Sequence, residues 1–210
     1  MNKGGRPRRE GWQVARGIAW AYAVAELSNK RIKLSQPDSF WSRYRSGEIS
    51  PSPRQVTLAE IEVPESRTYF DSSLWRLTDS QTLGKHSQRE LFNLLVPALR
   101  ERWVYRDFQS LPFFWRKQTK VGQELRDILE FFNENRSKYL ESLLAMSVLL
   151  HEAVLRQDRE RLEAVLEVWT AAIRYAANQE NDVCGFVNED VSSHLAQFGR
   201  NVATMCRSHQ

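Results

Sequence analysis

The residues best suited to chemistry lie in the run Asp38-Ser39-Phe40-Trp41-Ser42-Arg43-Tyr44-Arg45-Ser46-Gly47. Ser39, Ser42, Arg43 and Ser46 stand three and four residues apart, so a helix would stack them on one side. At about 100° per residue these four fall on one face with Arg45 at its edge, and Phe40, Trp41 and Tyr44 fall on the other. The first face offers short hydroxyl groups and guanidinium groups, and the second offers three rings to bury. That division suits a helix lying in a DNA major groove. Small polar side chains allow close approach to base edges, and arginine can donate two hydrogen bonds to guanine O6 and N7. The same residues also suit an ordinary amphipathic helix closed by a glycine cap.

Such a face needs a scaffold, and the flanking sequence supplies one. Val14, Ile18, Ala21, Tyr22 and Ala25 recur at helical steps within Trp12–Ile32, which is expected to form a helix against which the rings pack. Ser28-Asn29 followed by Lys30, Arg31 and Lys33 marks its end, with cations near the negative pole of the helix dipole. Ser35-Gln36-Pro37-Asp38 opens the short second helix: Ser35 and Asp38 have capping-box spacing, and Pro37 is tolerated in a first turn. Gly47 is the preferred residue just past a helix end. Ser52 can cap and Pro53 can start a third helix running to about Glu62, which Pro64 ends.

The run Trp41-Ser42-Arg43-Tyr44-Arg45-Ser46-Gly47, with Pro51-Ser52 after it, resembles the end of the recognition helix in phage-repressor-like (Cro/C1-type) helix-turn-helix domains. The stretch before it, Lys30-Arg31-Ile32-Lys33-Leu34-Ser35, lacks that family's Leu-Ala pair and carries Ser35 in place of its turn glycine. The likeness covers roughly residues 35–65. It implies a compact all-α DNA-binding module whose recognition helix begins near Pro37, with base or phosphate contacts from Asp38, Ser39, Ser42 and Arg43. Arg45 joins them from the edge of the same face.

A basic arm precedes the module. Gly5-Arg6-Pro7 resembles the core of AT-hook peptides, with Gly4 where those peptides carry another arginine. Arg6, Arg8 and Arg9 are expected to contact DNA, because a flexible arm can insert arginine where a narrow minor groove deepens the negative potential. The plainer reading is a solvated tail touching phosphates. Charge agrees with a polyanion-facing end: residues 1–56 hold 11 Lys+Arg and 4 Asp+Glu, giving +7 of a net charge of +4, and the remainder carries −3.

The rest of the 210 residues exceeds what one small module needs. Apolar residues make up 41% and charged residues 27%, which excludes wholesale disorder and a collagen-like chain. The longest uncharged apolar run, Ser142–Leu150, is far too short to span a bilayer, and the basic start leads into no apolar signal core. Cys184 and Cys206 form no C-x-x-C pair, so a reduced, cytoplasmic protein is expected. Residues 67–85 read as a connector with one apolar piece, Leu74–Leu77. Residues 86–210 read as a larger helical bundle. Its stripes are Leu91 to Trp103 with Pro97 as a kink, Leu125 to Phe132, Tyr139 to Leu144, Leu162 to Ile173, and a last helix from Phe186 to Cys206.

No segment alternates with period two for long, so the expected fold class is all-α: a small N-terminal helix-turn-helix module (1–66) followed by the bundle. The four histidines, His86, His151, His194 and His209, are scattered without metal spacing, and His151-Glu152 reads as the polar edge of an apolar helix. Glu124, Asp127, Glu130 and Glu134 read as a solvated face, and Phe113-Phe114-Trp115 as core packing. No catalytic residues, metal or cofactor are expected. The resemblance to phage-repressor-like domains thus implies a sequence-directed binder of double-stranded DNA, a bacterial or phage-type transcriptional regulator, that is expected to form a homodimer through its C-terminal helices. The other reading is a non-enzymatic adaptor of a defence or mobile-element complex, with a protein partner and a basic end that holds nucleic acid non-specifically.

Overall fold

The computed structural model describes residues 10–28, 37–95, 139–178 and 186–207, and every regular element among them is helical. Arg6, Arg8 and Arg9, Ser35, the Pro97 kink, Phe113-Phe114-Trp115, the acidic row from Glu124 to Glu134, the stripe from Leu125 to Phe132, Cys184 and His209 lie outside the described residues.

The first helix, α1 (Gly11–Leu27), organises the N-terminal end. Glu10 and Gln13 close a reciprocal capping box at its start, and the Ser28 hydroxyl donates back to the Ala25 carbonyl at its end. Its two sides belong to different cores. Trp20, Ala21 and Val24 join a small core with Trp41, Tyr44, Val56, Ala59, Val63 and Phe70. Ala15, Ile18, Ala19 and Ala23 join the large core, where short side chains let neighbouring backbones come close.

Three short helices complete the small core: α2 (Asp38–Arg45), α3 (Pro53–Glu62) and α4 (Ser66–Asp71). α3 has the boundaries that Ser52, Pro53 and Pro64 specify, and Ser52 accepts from the Gln55 N–H while Gln55 reaches back to the Ser52 N–H. The corner between α3 and α4 turns at Glu65, whose φ is 72°. One carboxylate holds it: Glu60 accepts from the N–H groups of Glu65 and Arg67 and from the Ser66 hydroxyl. Between α1 and α4 the Arg16 guanidinium lies over the Phe70 ring at 4.1 Å and near the Trp12 ring at 5.2 Å. Burial lowers the pKa of Arg16, and Asp71 opposes that shift.

The segment read as a connector contributes core. Leu74, Trp75, Leu77 and Leu83 are buried in the large core, and α5 (Leu74–Leu77) packs on both α1 and the long helix α7 (Tyr139–Leu155). The Trp75 indole N–H donates to the Tyr69 carbonyl at 2.6 Å. α6 (Gln88–Leu94), opened by a Ser87–Glu90 capping box, also lies on α7. The last two helices, α8 (Arg159–Asn178) and α9 (Glu189–Arg207), pack on each other; α8 also meets α7, and α9 returns to α1. Directional bonds pin this packing. Tyr139 donates to the Ala172 carbonyl at 2.7 Å, and the Trp169 indole donates to the Leu195 carbonyl at 3.1 Å.

His151 and Glu152 correct the sequence reading. They are fully buried and do not form a polar edge. His151 Nε2 lies 2.7 Å from the Leu77 carbonyl. A carbonyl only accepts, so Nε2 carries the hydrogen and Nδ1 holds the lone pair. Glu152 is ion-paired with Arg156 at 2.7 Å. Each is tolerated in the interior because a partner one turn or one helix away meets it. No helix among the described residues is long and apolar enough to cross a membrane.

Candidate nucleic-acid interface

The two faces of α2 separate into a buried aromatic side and an exposed polar side, with one exception. Trp41 and Tyr44 are buried against Trp20, with ring centroids 5.3 Å and 5.6 Å from it. Burial raises the Tyr44 phenol above its ordinary value. Asp38, Ser39, Ser42, Arg43, Arg45 and Ser46 are all exposed. Phe40 departs from the expectation: the sequence places it on the inward face, yet it is 39% exposed. It sits in the first turn, a full 100° from Trp41 on the wheel, and its ring stands 6.5 Å from that of Tyr44.

The mount of this helix is closely packed. α2 starts at Asp38 with Pro37 as its N-cap, so Pro37 and Asp38 stand two positions earlier in the helix than a Ser35–Asp38 capping box would place them, and no side chain caps this start. It ends at Ser46, and Gly47 takes φ +68°. A Cβ there would stand 2.8 Å from Val14 Cγ1 and 3.0 Å from Ile18 Cδ1. Glycine therefore meets two demands at once, a left-handed turn and contact with α1. Four residues on, Pro51 crosses α1 at Gly17, where an added Cβ would lie 3.3 Å from the proline ring. The chain after α2 is thus seated on α1 at two points before Ser52 starts α3.

One feature of the face has no counterpart in the sequence pattern. Glu48, in the turn after α2, accepts from Arg43 Nε at 2.9 Å and Nη2 at 2.8 Å, both through Oε1. The pair is open to solvent, with the Arg43 side chain 46% exposed. Five-residue spacing across a helix end carries no signal that helical periodicity detects, so the pairing is invisible to it.

α1 ends at Leu27 and α2 begins at Asp38, and residues 29–36 between them lie outside the described residues. Elsewhere, among the described residues, no group of three or more His, Cys, Asp or Glu side chains is placed to hold a metal ion. Comparison of the chain with protein-family models, curated proteins and solved structures finds no match.

Proposed function

We propose that this chain binds double-stranded DNA in a sequence-directed manner, with the exposed face of α2 in the major groove and Arg6, Arg8 and Arg9 on the adjacent backbone or minor groove. In this reading it acts in the cytoplasm as a bacterial or phage-type transcriptional regulator, paired with a second copy through its C-terminal helices. Pairing matters because a single small module holds DNA weakly at cellular salt, and two modules fix a half-site spacing. The observation that carries the reading is the split of α2: Trp41 and Tyr44 inward on α1, hydroxyls and two guanidinium groups outward.

Selection of bound duplexes from a random pool at physiological salt tests it. The expected result is a consensus with two-fold symmetry. Arg43→Ala should then lower the ratio of consensus to scrambled-duplex affinity by about fivefold to a hundredfold, the worth of one bidentate arginine–guanine pair. Removing Arg6 or Arg8 should flatten the dependence of log K on log salt by about one unit for each phosphate left unneutralised. A pool that yields no consensus, or an Arg43→Ala protein that discriminates as the parent does, would sink the reading. A second reading draws on the positive charge gathered in residues 1–56: an adaptor whose basic end holds nucleic acid without sequence preference. Equal affinity for all duplexes together with one stoichiometric protein partner would favour it.

A further inference from the structure

The geometry points to Glu48 as a positioning residue that presents Arg43 to a guanine. This rests on α2 being a major-groove helix. A guanidinium offers donors along two useful edges. The side-on edge, Nε with Nη2, is taken here by a single carboxylate oxygen of Glu48. The end-on edge keeps its parallel pair, one hydrogen on each Nη, which matches the O6 and N7 acceptors of guanine. Glu48 therefore selects which edge faces the groove and removes rotamers that would turn the group along the helix.

Three details support an orienting role over a stabilising one. The pair is exposed on both sides, with side-chain exposures of 46% and 59%, so as an ion pair it contributes little to folding. Glu48 directly follows Gly47, whose turn is seated closely against Val14 and Ile18, so the carboxylate is carried by backbone packed on α1. The Ile49 N–H also donates to the Arg43 carbonyl at 3.3 Å, closing the turn around the pair. An arginine is long and loses much rotamer freedom when it docks; a partner that fixes it beforehand lowers that cost.

The test uses the full chain and the consensus duplex selected by the parent protein. Glu48→Gln should lower consensus-to-scrambled discrimination by about threefold to tenfold, while Glu48→Asp recovers most of it. Discrimination is a ratio, so the general gain in DNA affinity from deleting a negative charge cancels. In an Arg43→Ala background, Glu48→Gln should change nothing further. Replacing the consensus guanines one at a time by 7-deazaguanine should reveal one position whose N7 matters to the parent and matters less to Glu48→Gln. A loss of folding would lower all binding alike and would not single out one base.

If Arg43→Ala discriminates normally, or no consensus exists, the major-groove reading fails and this inference falls with it. If Arg43→Ala loses discrimination and Glu48→Gln keeps it, the reading stands and the inference alone is overturned. An equal effect of Glu48→Gln with and without Arg43 also overturns it.

Discussion

At the residue scale, Gly47 shows how much one position can fix. Its φ of +68° lies in the left-handed region, and a Cβ would stand 2.8 Å from a methyl of Val14. Gly47→Ala should therefore cost about 1–3 kcal/mol, combining backbone strain with overpacking. Chemical denaturation measures this, and a loss under about 0.5 kcal/mol would mean that the turn can slide off α1. A glycine at a helix end was legible from the sequence, because only a residue without a Cβ suits that conformation. Its seat on α1 was not, since a glycine letter says nothing about what stands opposite it. The Arg43–Glu48 pairing was hidden for a related reason: periodicity registers the faces of helices, and Glu48 lies just beyond one.

At the scale of elements, α1 is the part that holds the α2 face in place. It gives Trp20 and Val24 to one core and Ile18 and Ala19 to the other. A peptide of residues 1–66, the module expected from sequence, would leave out Phe70 from the small core and strip α1 of its packing against α5 and α9. It should melt broadly and without cooperativity by circular dichroism; a sharp transition would show that α1, α2 and α3 sustain themselves. Helices with strong end signals and sustained periodicity were legible, α3 and α8 most clearly. The four-residue helix Leu74–Leu77 was not. One turn displays no period, and the burial of Trp75 is decided by helices distant in sequence, so local polarity suggested a connector.

At the scale of the whole molecule, two histidines make stability depend on pH. Burial lowers His151 to about 4, His86 adds to the shift and the Leu77 carbonyl opposes it. His194 is also lowered to about 4 by burial, against the pull of Asp79. The groups around His151 explain the direction: its ring is 5.2 Å from that of His86 and stacks at 6.0 Å on Phe198, while neighbouring Glu152 is engaged with Arg156. A proton added at Nδ1 would have no acceptor among the described residues. Because the folded values lie below the ordinary 6.5, the unfolded chain binds more protons between about pH 6.5 and 4. Stability is complete above that window and falls as pH drops through it, by up to ~1.4 kcal/mol per pH unit for each histidine. Urea midpoints at pH 7.5, 6 and 5 should decline in that order, and His194→Gln should make the decline shallower. A flat profile would mean that both rings are hydrated. The sequence placed His151 on a polar edge because its neighbour is charged; burial of such a pair depends on a carbonyl many residues away.

The sharing of α1 between two interiors has one more consequence. A reading head on a loose tether can search a range of spacings, and its selectivity comes from each site alone. Here the α2 face is braced against the same helix that α9 embraces, so its bearing relative to the C-terminal helices is set by packed side chains. Under the proposed function, two copies joined through those helices would work like the fixed jaws of a caliper, gauging the distance between two marks as well as reading each one.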